Sequence, residues 1–366
     1  MNSQTDANAS ITSSAGPVMK PNYPRNLWWF AARSEEITRK PIGMWLLDEP
    51  IVFYRKEDGA VVALDNRCPH RWAPLSEGKV DGDNIACPYH GFQYAPTGQC
   101  VKIPSQPMIP PKCRVKSYAT CEKDTLIWIW MGDPAQADPQ KMPLDSGWLC
   151  DPAWSVINGF TTIDANYELL KENILDLTHI PHVHAMSIGA MDWTQPPQVE
   201  TTDSTVTYRQ VFKNSCVPPV YGIPTGVGMT KPVDRENWGT SFSPAAHRGF
   251  VEIVDPSPSP GARSKWLFSV QHLVTPESPT RFRYQWFMGW DISLSANYLN
   301  AMRENVPKGY AEDKFILEKV QEMILRDPRH LDHPEFIVRA DEAAIQGRRK
   351  LAALLSKEQS THSKIA

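Results

Sequence analysis

Four residues near the N-terminus have types and spacing that suit redox metal chemistry. Cys68 and His70 lie in Cys-Pro-His-Arg, and Cys87 and His90 in Cys-Pro-Tyr-His-Gly-Phe. Thiolates suit iron–sulfur chemistry. Two imidazoles in place of two thiolates raise the potential of a two-iron, two-sulfur centre to roughly −150 to +300 mV, as a relay to an oxygen-activating iron requires. A structural zinc site is the competing use of such a quartet. Zinc spacing usually groups the cysteines together and the histidines together. Here each loop carries one of each, which favours the iron–sulfur reading. Pro69, Pro88 and Gly91 help the loops close around the sulfur atoms. Cys100, Cys113, Cys121, Cys150 and Cys216 show no paired spacing and read as ordinary thiols.

A second group lies at 172–184. On one helix over 164–180, Glu172, Asn173, Asp176 and His179 share a face opposite the apolar stripe Tyr167, Leu170, Ile174 and Leu177. Such a polar stripe is commonly a solvated face. His182 and His184 follow at once, however, and Pro181 should disturb the helix so that either can turn inward. An oxygen-activating mononuclear iron takes two histidines and one carboxylate, with open positions opposite. Asp313 is the candidate carboxylate, because a helix over 310–325 aligns it with Ile316, Leu317, Val320 and Ile324. A carboxylate facing a core is costly unless paired or metal-bound, so a buried ion pair competes with this assignment. His272 lies on an apolar strand face and is either a satisfied core histidine or a hydrogen-bond partner for substrate. Trp286 shares an aromatic strand face and is a candidate lining residue. His247 and Arg248 either meet an acidic substrate or lie at the surface.

The elements that must position these groups are mostly strands at first. Residues 51–56 and 60–64 flank Asp58-Gly59, a hairpin signal. The apolar run 126–131 is short enough to be a buried strand. Residues 24–140 thus read as an all-β unit ending in a Pro- and Asp-rich linker over 133–143. Residues 150–355 read as α+β, with strands at 205–212, 264–275 and 281–291 forming an antiparallel sheet under helices. Residues 1–20 read as a flexible tail, and the last ten as a frayed end.

The net charge of −3 leaves no basic field for nucleic acid or anionic lipid. No apolar stretch reaches the roughly 18 residues of a membrane helix, and 1–20 lack the pattern of a secretory signal. The expectation is a cytoplasmic protein.

These motifs together resemble the Rieske non-haem iron aromatic oxygenases. Within them the chain resembles the group of vanillate O-demethylase, dicamba O-demethylase and toluenesulfonate methyl-monooxygenase oxygenase components. The likeness runs from about Tyr23 to Leu355. It includes the two cluster loops, the run 126–139, Asn-Tyr-Glu-Leu-Leu-Lys-Glu-Asn-Ile-Leu-Asp-Leu-Thr-His at 166–179, His-Ala-Met-Ser-Ile-Gly at 184–189 and Ala-Glu-Asp at 311–313.

The resemblance implies a Rieske domain followed by a helix-grip (START/Bet v1-like) catalytic domain. It selects His184 over His182, making His179, His184 and Asp313 the ligands of a mononuclear Fe(II). It gives Asp176 a bridging role between His179 and a Rieske histidine, His90, of a neighbouring subunit in a homotrimer, with Asn173 beside it in the catalytic set. No nicotinamide- or flavin-binding motif is present, so NAD(P)H acts through a separate flavin/iron-sulfur reductase or ferredoxin. The implied reaction inserts one atom of O2 into a C–H bond of an aromatic, acidic substrate. O-demethylation is favoured over ring or methyl hydroxylation, and over a Rieske electron carrier without oxygenase activity. The loop between Asn214 and Ser243 is where family members should differ most.

Overall fold

The computed structural model describes residues 23–185, 187, 193, 196–327, 329 and 335–362. The 1–20 tail and part of the 184–189 motif lie outside them. The first half is built from strands β1 (Trp28–Arg33), β2 (Ile42–Leu46), β3 (Glu49–Arg55), β4 (Val61–Asp65), β5 (Lys79–Asp81), β6 (Asn84–Ala86), β7 (Gln93–Tyr94), β8 (Cys100–Lys102), β9 (Ser117–Lys123) and β10 (Leu126–Trp130). They make a six-stranded sheet, β1-β10-β9-β4-β3-β2, and a four-stranded sheet, β5-β6-β7-β8. The Asp-Gly signal holds: Gly59 turns the chain between β3 and β4 at φ 87°, a conformation glycine adopts without a Cβ clash. β10 is buried along its whole length, as its unbroken apolar run requires.

The second half carries β11 (Ser155–Ile163), α1 (Tyr167–Leu175), the single turn α2 (Ile180–Val183), β12 (Gln198–Thr201), β13 (Val206–Ser215), α3 (Pro219–Thr225), β14 (Val233–Ser243), β15 (Ala246–Val254), β16 (Lys265–Ser278), β17 (Arg281–Trp290), α4 (Ala296–Arg326) and α5 (Glu342–His362). The strands form one antiparallel sheet, β11-β17-β16-β15-β14-β13-β12. α4 packs against this sheet, with Tyr310 stacked on Trp286 of β17 at 4.5 Å. The α+β expectation holds. One apolar core contains Trp29 and Ile51 from the first half with Trp266, Trp290 and Leu317 from the second. Backbone bonds cross the seam from Leu47 to Pro276 and from Asp48 to Glu277.

Four sequence expectations are corrected. α1 does not run to 180. It ends at Leu175, and Asp176 is extended at φ −121°, ψ 101°. The Asp176 side chain accepts from the Thr178 amide and hydroxyl, so a short polar group competes with the helix for backbone donors. Asp176 and His179 therefore do not continue the helical face of Glu172 and Asn173. Pro181 sits at the start of α2, where a missing N–H costs nothing; it begins a turn and does not break one.

The apolar stripe assigned to α4 is also redrawn. Its buried positions are Asp313, Leu317 and Gln321, while Ile316 and Val320 are each 38% exposed. The inward face follows i, i+4, i+8 from Asp313, so Ile316 and Val320 of the expected stripe turn outward. The span 214–243 is not simply a loop, since it contains α3 and β14.

Candidate metal centres and the cavity between strands and helix

The two cysteine loops are tight turns. The Trp72 amide donates to the Cys68 carbonyl at 2.8 Å, and the Gly91 amide to the Cys87 carbonyl at 3.1 Å. Gly91 takes φ 71°, and a Cβ there would come within 3.1 Å of Pro104. The loops place Cys68 and Cys87 inward and buried, with their thiols within electrostatic reach of each other. His70 and His90 face outward and exposed. Their rings lie 4.5 Å apart, and His70 stacks on Phe92. Two sulfurs on one side and two imidazoles on the other are the donor set of a mixed-ligand two-iron cluster, and zinc grouping is absent from these loops. Tyr94 brings its hydroxyl to 3.2 Å from the Cys68 sulfur. Burial raises the Cys68 thiol pKa, and a bound metal would favour its thiolate.

The second centre forms where α1, the turn after it and α4 converge. The donor atoms of His179, His184 and Asp313 all lie within 4.8 Å of one another. An Asp313 oxygen is 3.6 Å from His179 Nε2 and 3.1 Å from His184 Nε2. Each imidazole is held from behind. His179 Nδ1 lies 2.6 Å from the Asp176 main-chain carbonyl, and His184 Nδ1 lies 2.9 Å from Glu312. Both rings thereby turn Nε2 inward, the usual device for orienting metal-bound histidine. Asn173 Nδ2 donates to Asp313 at 3.1 Å. Burial lowers the His179 pKa, with Asp313 opposing. For His184 burial acts downward as well, but the Asp313 and Glu312 carboxylates outweigh it and raise the pKa. Two histidines and a carboxylate on one side of a cavity fit an oxygen-activating iron. His182 is exposed and faces away.

Beyond these three residues lies a cavity of about 290 Å³, walled by Tyr208, Asn237, Phe250, His272 and Met288 of the sheet and Val306 of α4. His272 thus reaches the cavity, its Nδ1 2.6 Å from the Tyr284 hydroxyl. Burial holds its pKa down to about 4. Trp286 is buried behind Tyr310 and is not among the lining residues. It backs the wall and does not form it. His247 is buried beside His272 at 5.5 Å, and Arg248 lies over Trp148 and Phe250; neither lines the cavity. Among the described residues no lysine or arginine lines the cavity. Two contributors escaped the sequence reading. Glu312 stands next to Asp313 but carries no periodic signal of its own, and Asn237 sits on β14, which alternates too weakly to be recognised.

Residues 163–357 match the vanillate O-demethylase oxygenase C-terminal domain family, and residues 27–119 match the Rieske 2Fe-2S domain family. The chain is 33% identical to a toluene-4-sulfonate monooxygenase system iron-sulfur subunit of Comamonas testosteroni, over 91% of this chain and 97% of that one. It is 32% identical to a vanillate O-demethylase oxygenase subunit of a Pseudomonas strain, over 92% and 96%. Among solved structures, dicamba monooxygenase bound to 3,6-dichlorosalicylic acid superposes with a TM-score of 0.82 at 30% identity, covering 92% of this chain and 98% of that one.

Proposed function

The chain belongs to the Rieske non-haem iron oxygenases of the vanillate O-demethylase group, and on that premise we propose how its own residues serve an aromatic oxidation. It is the terminal oxygenase component of a multi-component system, working with O2 and with electrons that a separate reductase draws from NAD(P)H. O-demethylation or a related monooxygenation is the reaction class. One observation carries the reading: a thiol–imidazole quartet and a His-His-Asp triad occur in one chain, and the triad opens on an aromatic-walled cavity. A mere electron carrier has no use for that cavity.

In this reading Cys68, Cys87, His70 and His90 hold the cluster, and His179, His184 and Asp313 hold the mononuclear iron. When bound, that iron supplies the centre at which O2 is activated. The remaining residues position and exclude. Asp176 orients His179 through its carbonyl, and Asn173 fixes the rotation of the Asp313 carboxylate. The apolar cavity wall keeps water from the reacting group. His272, held neutral, and Asn237 are the side chains that meet the polar substituent of the ring. An acid group there is bound by neutral donors, since no lysine or arginine lines the wall among the described residues.

We extend the reading to a homotrimer in which His90 of one chain approaches Asp176 of the next. The support is the surface around the cluster, where Trp72 is 71% and Tyr89 65% exposed beside two outward imidazoles. A cytoplasmic location completes it, since all seven cysteines are unpaired, as a reducing compartment keeps them. No helix among the described residues is long and apolar enough to cross a membrane.

Product analysis tests the reaction. Purified chain, a surrogate reductase, NADH and a panel of methoxylated aromatic acids should release formaldehyde in step with NADH use. A hydroxylated product without formaldehyde moves the chain to the hydroxylating branch. The metal assignment is tested separately. Asp313→Ala should lower iron from about three to about two per chain while keeping the cluster's visible absorbance; unchanged iron refutes the ligand role.

A further inference from the structure

Cys100 and Cys113 have no pairing signal in their spacing, yet the fold sets them opposite one another. The chain leaves through β8 and returns to its start across an antiparallel bridge between Gln99 and Arg114. The Cys100 amide donates to the Cys113 carbonyl at 3.2 Å, and the Val115 amide to the Gly98 carbonyl at 2.8 Å. Residues facing each other across an antiparallel pair have Cα atoms roughly 4.5–5.5 Å apart, within the roughly 4.4–6.8 Å that a disulfide spans. The Cys100 Sγ donates weakly to the Lys102 carbonyl at 3.6 Å, the two thiols lie within electrostatic reach of each other, and both are free.

We propose that Cys100 and Cys113 form a redox-active dithiol that a hydroperoxide closes to a disulfide. Hydrogen peroxide is the oxidant class an oxygenase meets when O2 is reduced without substrate oxidation.

The two positions divide the roles. Cys113 is half-buried, with exposed Lys112 and Arg114 on either side in sequence. A partly open thiol is the one of the pair that a small oxidant reaches first. Cys100 is buried, and burial together with its contact to Cys113 pushes its thiol up to about 11. That suits the sulfur that reacts second. The Cys113 sulfur attacks one peroxide oxygen and the O–O bond breaks. The departing oxygen takes the Cys113 proton and leaves as water. The Cys100 sulfur then attacks the Cys113 sulfenic sulfur. The S–S bond forms, the S–O bond breaks, and hydroxide leaves with the Cys100 proton as a second water. The two thiols lose two electrons, and the peroxide gains them.

The position gives this pair a purpose. The segment it would close includes Pro104, which rests against Gly91, the residue after His90. Ile103 and Ile109 pack in the same apolar cluster as Cys68 and Cys87. Tyr94, whose hydroxyl touches the Cys68 sulfur, is also within electrostatic reach of both Cys100 and Cys113. The cross-link pins the segment that covers the cluster-binding cysteines, and so slows cluster loss under peroxide.

The test uses the cluster-loaded protein. It is treated with a few equivalents of hydrogen peroxide while its visible absorbance is followed. Free thiols are then alkylated under denaturing conditions, and peptides are mapped by mass spectrometry. A Cys100–Cys113 cross-linked peptide should appear before the absorbance falls and vanish on treatment with dithiothreitol. Cys150→Ser and Cys216→Ser should leave it unchanged. Cys113→Ser should abolish it and bleach several-fold faster under peroxide. The proposal is overturned if the cross-link is missing while the absorbance is intact, or arises only after bleaching, when released cluster cysteines can scramble. The wild-type mapping decides this even if a variant fails to fold. Equal bleaching of wild type and a folded Cys113→Ser overturns the shielding role.

Discussion

Replacing Glu312 with alanine removes the group behind His184 without touching any of the three inward donors. The Glu312–His184 bond is 2.9 Å long, and the His184 side chain is almost wholly buried. Ser187 donates to the same carboxylate oxygen, so the anchor is itself held in place. Partners that orient a metal-bound histidine typically contribute 10- to 100-fold in metal affinity, or about 1.4–2.7 kcal/mol. Glu312 is only partly buried, which points to the lower half of that range. Glu312→Ala should therefore bind Fe(II) about tenfold more weakly. Glu312→Gln, which keeps an acceptor oxygen but loses the charge, should fall between the two. The assay is an anaerobic Fe(II) or Co(II) titration of protein stripped of its mononuclear metal, with the cluster absorbance as an internal measure of intact folding. Affinity within twofold of wild type, with the cluster retained, refutes the positioning role. So would equal weakening by Ser187→Ala alone, which would make the hydroxyl and not the carboxylate the anchor.

Three further outcomes are expected. Tyr94→Phe removes the hydroxyl 3.2 Å from the Cys68 sulfur. A hydrogen bond of about 1–1.5 kcal/mol favours the more negative reduced cluster, so its loss should lower the cluster potential by roughly 40–65 mV in a redox titration; an unchanged potential refutes the contact. Burial holds His272 down to about 4, so it is neutral in both states above pH 6.5. Between 6.5 and 4 the unfolded chain takes up a proton that the folded chain does not, and stability falls with falling pH, by at most about 3 kcal/mol from this residue. His272→Gln should flatten denaturation midpoints across that window, and an identical slope refutes the assignment. In Gly159→Ala a Cβ would lie 2.3 Å from the Trp286 ring, forcing it off Tyr310. Overpacking of this kind costs roughly 1–3 kcal/mol, visible as a lower melting temperature; an unchanged one means the ring moves freely.

What was legible in the sequence was local. Cys68, His70, Cys87 and His90 fall on two tight turns, so covalent spacing alone brings each Cys–His pair together, and the hairpin at Asp58-Gly59 follows from a backbone rule. His179 and His184 are five residues apart, but the family resemblance was needed to choose His184 over His182, to make Asp313 the third ligand and to give Asp176 its bridging role. Asp313 was found because a carboxylate on an apolar helix is anomalous, although the helix face proposed for it was partly wrong. An apolar residue on α4 can face the core or the outside, and Ile316 and Val320 chose the outside. Distant juxtapositions came only with the tertiary structure. Glu312 behind His184, Asn237 and His272 on one cavity wall, Trp286 displaced behind Tyr310, and Cys100 opposite Cys113 all depend on sheet register and helix rotation. A strand shifted by one residue reverses every side chain on it, and a helix turned by one residue swings each by about 100°. Composition and spacing leave both free, and the packing of α4 onto the seven-stranded sheet decides them.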